Sequence, residues 1–292
     1  MTITAEHEAP RPSPAGRSGF ADAVTVAFGD PAQRTYGLAR LGLSEDGASV
    51  LAVLFDGPET VAAHAEGGLP AVTRWEDITG GRVRHEVLEP LAAWTVAFDD
   101  GEGNGFDLRL TATSAPAAAP EDGEAARVGG MVGYDQLCAV EGVVRIGGQD
   151  RAVRCAGQRS RGWGAPDWNR IELARTVSAW FDDGSGVLLT GIRPAGATPE
   201  VEARTAFLLE DGEPTAVATV HLSTAYDAEG RQRRAGIELW DDPEQWPHRA
   251  AGDLICGSSL DLGRLRYDCA FFGWRMDGRT GVGRYDVLRR VT

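Results

Sequence analysis

Residues Tyr134–Trp163 read YDQLCAVEGVVRIGGQDRAVRCAGQRSRGW, two alternating runs that meet at Gly147-Gly148. A glycine pair between such runs is a favoured two-residue hairpin turn, because both central positions require left-handed backbone. With the turn placed there, Ile146 pairs with Gln149, Arg145 with Asp150, Val143 with Ala152 and Glu141 with Arg154. Two pairs of opposite charges then sit directly across from one another, which supports the register. The other face carries Cys138, Val140, Val144, Val153 and Cys155. One face apolar and one salt-bridged describes an antiparallel pair lying on a core.

Carried outward, the register sets Gln136 opposite Arg159 and Tyr134 opposite Arg161 on the apolar face, with Trp163 next in line. Inward polar groups need partners, since an unpaired buried charge is costly. They can satisfy one another and Asp167, or they can face a ligand. A bulge at Gly157 would shift the register by one residue and reverse the facing of both arginines. Cys138 and Cys155 become diagonal neighbours about 7 Å apart, too far for an unstrained disulfide, and read as free thiols.

The hairpin rhythm extends along the chain. WTVAF and FDLRLTA flank DDGEGNG, TVSAWF and VLLTGI flank DDGSG, and AFLLE and TAVATVHLS flank DGEP. RLRYDCAFFGWRM and VGRYDVLRR flank DGRTG, and 38 glycines punctuate the whole. Such alternation with D-G turns predicts antiparallel strands throughout. Helical signal is confined to PETVAAHAE (58–66) and DPEQWPHRA (242–250). The proline- and alanine-rich TSAPAAAPEDGEAA separates two strand-rich regions. The expected organisation is a disordered tail (1–19), a β domain (20–115), a linker (116–126) and a second β domain (127–292).

Composition removes most common chemistries. All 29 basic residues are arginine, so no lysine is present for a Schiff base or a P-loop phosphate site. A net charge of -14 argues against nucleic acid or an anionic membrane surface as partner. Cys138, Cys155, Cys256 and Cys269 have no zinc-like spacing, and the five histidines are scattered, so neither metal nor cofactor is expected. There is no G-x-S-x-G elbow. No apolar run reaches the ~20 residues of a membrane span. The first residues lack the basic-then-apolar order of a secretory signal, so a cytoplasmic location is expected.

The order of elements around GQRSRGWGAPDW resembles the hydroxyneurosporene synthase (carotenoid 1,2-hydratase) and AttH-like superfamily, which includes lipocalin-like pericyclases of the Diels–Alderase type. Members usually read G-x-R-D-x-S-W-G-x-R-D-W at this point. Gly157, Arg159, Trp163, Gly164, Asp167 and Trp168 match that frame, whereas Ser160 and Gly162 replace its Asp and Ser. The resemblance implies an all-β fold of two lipocalin-like antiparallel β-barrels or sandwiches packed side by side, with a lipophilic pocket. It does not imply one reaction.

Within that frame Asp167 is the best-placed acid and Asp135 the second, although the register points Asp135 outward. Tyr134, Gln136, Arg159, Arg161, Trp163 and Trp168 are the candidate substrate contacts. A plainer reading makes the arginines and Asp167 a buried ion-pair corner and the tryptophans core. His221 and Tyr226 lie in VHLSTAY, where alternation could aim them inward. Two functions follow. One is a cofactor-independent enzyme that hydrates, isomerises or cyclises a polyene, terpenoid or polyketide-like substrate. The other is a non-catalytic carrier of a small lipophilic ligand. Either would work as a monomer or homodimer.

Overall fold

Every expected D-G or G-G hairpin turn joins two strands, and the central register is the one the sequence predicts. The computed structural model describes all residues except 12, 14–17, 79, 80, 242, 243, 245 and 292. Gly147 (φ 57°) and Gly148 (φ 77°) both adopt left-handed backbone at the central turn. Arg145 pairs with Asp150, Glu141 with Arg154, Gln136 with Arg159 and Tyr134 with Arg161, without interruption. No bulge occurs at Gly157. A side chain there would meet Ala27 O at 2.5 Å and Val140 Cγ2 at 2.6 Å, so glycine lets the strands close.

The first sheet begins with a meander of β1 (Ala21–Asp30), β2 (Thr35–Ser44), β3 (Gly47–Asp56) and β4 (Glu59–Leu69). It continues through β5 (Val83–Glu89), β6 (Ala93–Asp99), β7 (Gly105–Ala112), the short β8 (Ala117–Ala118), β9 (Met131–Ile146) and β10 (Gln149–Gly164). The pairing order is β4-β3-β2-β1-β10-β9-β7-β6-β5, with β8 beside β9. The sheet curls until β5 approaches β2 and β3. Its concave face holds one apolar core that includes Val24, Phe28, Leu54, Trp94, Leu110 and Val140.

After helix α1 (Glu124–Gly129) the second sheet comprises β11 (Ile171–Phe181), β12 (Gly186–Pro194), β13 (Ala203–Glu210) and β14 (Glu213–Ala216). It is completed by β15 (Thr219–Tyr226), β16 (Gln232–Trp240), β17 (His248–Asp261), β18 (Leu265–Met276) and β19 (Arg279–Arg290). Its order, β14-β13-β12-β11-β19-β18-β17-β16-β15, repeats the plan of the first sheet. In both, an opening four-strand meander joins a later meander through its first strand and the last. The protein is therefore all-β, with two curled, lipocalin-like antiparallel sheets.

The organisation differs from the expected one at several places. The chain divides into residues 1–120 with 130–166, and residues 121–129 with 167–292. The β9–β10 hairpin thus belongs to the first unit, because β10 pairs with β1 and β9 with β7. The 116–126 segment is not an unstructured linker, since it contains β8 and the start of α1. All of residues 58–66 but the first lie in edge strand β4 rather than a helix, held by pairing to β3. The second helical signal falls partly outside the described residues, and its described end opens β17. Finally, TAVATVHLS is split between β14 and β15, which lie at opposite ends of the second sheet. No helix among the described residues is long and apolar enough to cross a membrane.

Candidate functional site

Alternation along β9 and β10 delivers Tyr134, Gln136, Arg159, Arg161 and Trp163 to the concave face of the first unit, at one end of its apolar core. Arg159 is 0% exposed and Arg161 2% exposed. Their partners come from the N-terminal segment and from β1 rather than from Asp167. Residues read as a tail include a short 3-10 helix, Ala5–Glu8, whose last residue is buried.

Glu8 is the centre of the arrangement. Its Oε1 accepts from Tyr134 OH (3.0 Å) and the Leu91 amide (3.2 Å). Its Oε2 accepts from Trp94 Nε1 (3.3 Å) and from Arg159 Nη2. Arg159 Nη1 also donates to Tyr134 OH (3.3 Å), and its guanidinium lies 4.5 Å over the Trp94 ring. Trp75 Nε1 fixes the Glu8 carbonyl at 2.9 Å. Four donors thus converge on one carboxylate under a tryptophan roof.

Arg161 makes the second anchor. It grips Asp22 through both terminal nitrogens, with Nη2 at 3.2 Å, and donates to the carbonyls of Ala23 (2.8 Å), His7 (3.3 Å) and Ala9 (3.1 Å). Asp22 in turn accepts the Arg11 amide at 2.7 Å. The Arg11 guanidinium stacks 4.0 Å over Trp163. The segment Met1–Arg11 is a strap across the polar end of the first unit.

His85 enters the same interior from β5. Its Nδ1 donates to the Thr95 carbonyl at 2.9 Å, so in the neutral ring Nε2 carries the lone pair. That Nε2 is buried and has no partner among the described residues. Burial first, then the positive charges of Arg159 and Arg161, pushes the imidazole down to about 3. Burial raises the Tyr134 phenol to about 12 against the opposing pull of Arg159. At neutral pH the interior therefore offers a protonated phenol, a guanidinium, an indole N–H and one unprotonated imidazole nitrogen. Cys138 lies nearby as a buried free thiol, pushed by burial to about 12. Gln136 Nε2 tethers the Leu91 and Ser114 carbonyls at 3.1 and 3.0 Å.

The two acids singled out in the sequence lie elsewhere. Asp167 is an exposed turn residue of the second unit, and its Oδ1 accepts the Asn169 amide at 3.0 Å. Asp135 sits on the opposite face of β9 and accepts from Gln158 Nε2 at 2.7 Å. Trp168 packs, half-buried, against Ile171 and Ile192. Glu8, Asp22, His85, Trp75 and Trp94 were not singled out. Asp22 and His85 were legible as polar interruptions in inward rows, Asp22-Val24-Val26-Phe28 and Val83-His85. Glu8 carries no such signal.

A family model, the domain of unknown function DUF7064, matches residues 4–291. The chain belongs to the DUF7064 family. No curated protein matches the sequence significantly. Among solved structures, the AttH-like protein NE1406 of Nitrosomonas europaea is similar at a TM-score of 0.68 and 15% identity, covering 94% of this chain and 93% of that one. CghA with Sch210972 is similar at 0.67 and 12% identity, covering 93% and 89%. Kievitone hydratase from Nectria haematococca is similar at 0.64 and 12% identity, covering 98% and 93%. These neighbours share the two-sheet fold that the resemblance of the GQRSRGWGAPDW motif implies. At such identities the likeness is one of fold, extending over nearly the whole of this DUF7064 chain.

Proposed function

We propose that the first unit is a cofactor-independent enzyme that hydrates, isomerises or cyclises a lipophilic small molecule by polarising a carbonyl oxygen. The observation that carries this reading is the convergence of Tyr134 OH, Trp94 Nε1, Arg159 Nη2 and the Leu91 amide on one buried oxyanion. Preorganised donors in a water-poor site stabilise charge that develops on oxygen, commonly the largest single contribution to catalysis. In this reading the Glu8 carboxylate holds the place of the substrate oxygen, and the strap leaves when substrate enters.

One donor set serves both reaction types. In a hydration, water oxygen bonds to the β-carbon of an enone as the π electrons move to the carbonyl oxygen, and the proton that the water sheds ends on the α-carbon as the enolate collapses, so one water adds across the double bond. His85 Nε2 would accept a hydrogen bond from that water. In a cyclisation, the same donors make a conjugated carbonyl more electron-poor, and new carbon–carbon bonds form without gain or loss of atoms. The tryptophans supply an apolar, shape-defining wall. Kievitone hydratase is a hydratase by name, which supports this class without naming the substrate here.

The test is organic extraction of gently purified protein, followed by incubation of the extracted lipophile with fresh enzyme in oxygen-18 water. A product heavier by one labelled water shows hydration, and an isobaric product shows isomerisation or cyclisation. Either should be lost in Tyr134→Phe and Arg159→Gln proteins that remain folded. A stoichiometric lipophile that is returned unchanged would overturn the enzyme reading in favour of a carrier.

A further inference from the structure

The second unit contains a cavity that the preceding reading does not use. It has a volume of about 520 Å³ and opens among the ends of β11, β12, β15 and β19. Its polar wall is Glu172, Arg193, Arg289 and Arg290, and its apolar wall includes Leu173 and the Tyr226 ring. Cavities of a few hundred cubic ångströms are the ordinary size for metabolite sites. What distinguishes this one is the sign of its charge within a chain of net charge -14.

The positive charges are only partly balanced. Arg193 meets Glu172 at 3.9 Å and shares Glu202 (3.4 Å) with Arg175 (3.1 Å) and Arg204 (3.8 Å). Three arginines thus share one fully buried carboxylate. Arg289 donates to the Gly230 carbonyl at 2.7 Å and meets Asp268 at 3.1 Å. Arg290 is exposed and makes no ion pair among the described residues. Among the residues that line the cavity, three arginines, Arg193, Arg289 and Arg290, therefore face one carboxylate, Glu172. The nearby acids do not restore the balance, because Asp227 is held by Arg231 (3.0 Å) and Arg233 (2.8 Å), and Glu229 by Arg231.

The buried Nε atoms of Arg175, Arg193 and Arg289 have no hydrogen-bond partner among the described residues. Arg175 is locked from below by Tyr285 OH at 3.3 Å, which also bonds Thr224 Oγ1 at 2.6 Å. Arg193, through Glu172 and Glu202, and Arg289, through Asp268 and the Gly230 carbonyl, are likewise held with a ligand absent, and such preorganisation lowers the cost of binding.

We infer that this cavity is a binding site for a metabolite-sized organic oxyanion, a carboxylate or phosphate ester. Its charged group would be met by Arg193, Arg289 and Arg290, and its apolar body would lie against Tyr226 and Leu173. Planar guanidinium groups suit both carboxylate and phosphate oxygens. The site is independent of the carbonyl-polarising reading of the first unit.

Calorimetric titration with phenyl phosphate, benzoate and benzyl alcohol tests it. Saturable binding of at least one anion is expected, displaced by inorganic phosphate and weakened by added salt, with benzyl alcohol failing to bind. Preference for phenyl phosphate or for benzoate identifies the phosphate or the carboxylate source. Arg290→Glu, a change at an exposed residue, should weaken the anion about tenfold or more. Tyr226→Ala should weaken the aromatic anions but leave inorganic phosphate unchanged. No saturable anion binding, anion binding unaffected by Arg290→Glu, or equal binding of benzyl alcohol would each overturn the proposal.

Discussion

Glu8 and Arg159 are buried together, and each depends on the other to remain there. Removing one member of a buried pair leaves an uncompensated charge and costs about 3–5 kcal/mol. Glu8→Ala should lower the stability of the first unit by that order, measured by denaturant unfolding. Exposed pairs such as Arg145–Asp150 should give far smaller changes, because solvent screens them. His85 makes a separate prediction. Its folded value of about 3 lies below its unfolded value near 6.5, so protonation favours the unfolded chain. The stability that its neutral form contributes is complete above about pH 6.5 and falls by about 1.4 kcal/mol per unit as the pH drops toward 3. Between pH 6.5 and 5, where few carboxylates titrate, His85→Gln should abolish a loss of about 2 kcal/mol. At this scale, period-2 alternation made the inward facing of Tyr134, Gln136, Arg159, Arg161 and Trp163 readable. It could not reveal Glu8, whose role depends on a chain segment folding back across more than a hundred residues.

The β9–β10 hairpin was legible as an element because its turn, its charge pairs and its apolar face are all local. Its place in the molecule was not, since the strands that flank it are β1 and β7 and no local pattern encodes that pairing. Hairpin rhythm also concealed the break between β14 and β15, where the chain passes from one edge of the sheet to the other. Gly157 tests the packing of the element. Gly157→Ala would force a methyl group against Ala27 O and Val140 Cγ2 and should cost about 1–3 kcal/mol by thermal unfolding. Gly147→Ala adds a side chain where nothing lies within 4 Å, so its penalty is confined to its left-handed backbone, about 1 kcal/mol. The strap is an element too. Hydrogen exchange of a peptide spanning residues 1–11 should be slow in the parent protein and fast in Asp22→Asn, which weakens the grip of Arg161 and Arg11. Equal exchange in both would mean that the strap is held by other contacts.

At the scale of the whole molecule, two sheets of the same strand order carry different chemistry. The first encloses a donor cluster occupied by the protein's own carboxylate, and the second opens an arginine-lined cavity. Lysine-free composition and scattered cysteines narrowed the classes of reaction. They could not choose the residues, because both acids favoured by the sequence motif lie away from the concave interior. For the first unit to polarise a carbonyl, the donors around Glu8 must form a receptor for an oxyanion that need not belong to the chain. The most direct test is thermal unfolding of the Glu8→Ala protein with added acetate or acetamide. Acetate, but not acetamide, should raise the midpoint progressively with concentration, as expected for a ligand that binds only the folded state, and should have little such effect on the parent protein. If acetate shifts the variant no more than the parent, the cluster is a structural clasp for Glu8 alone and the carbonyl-polarising reading fails.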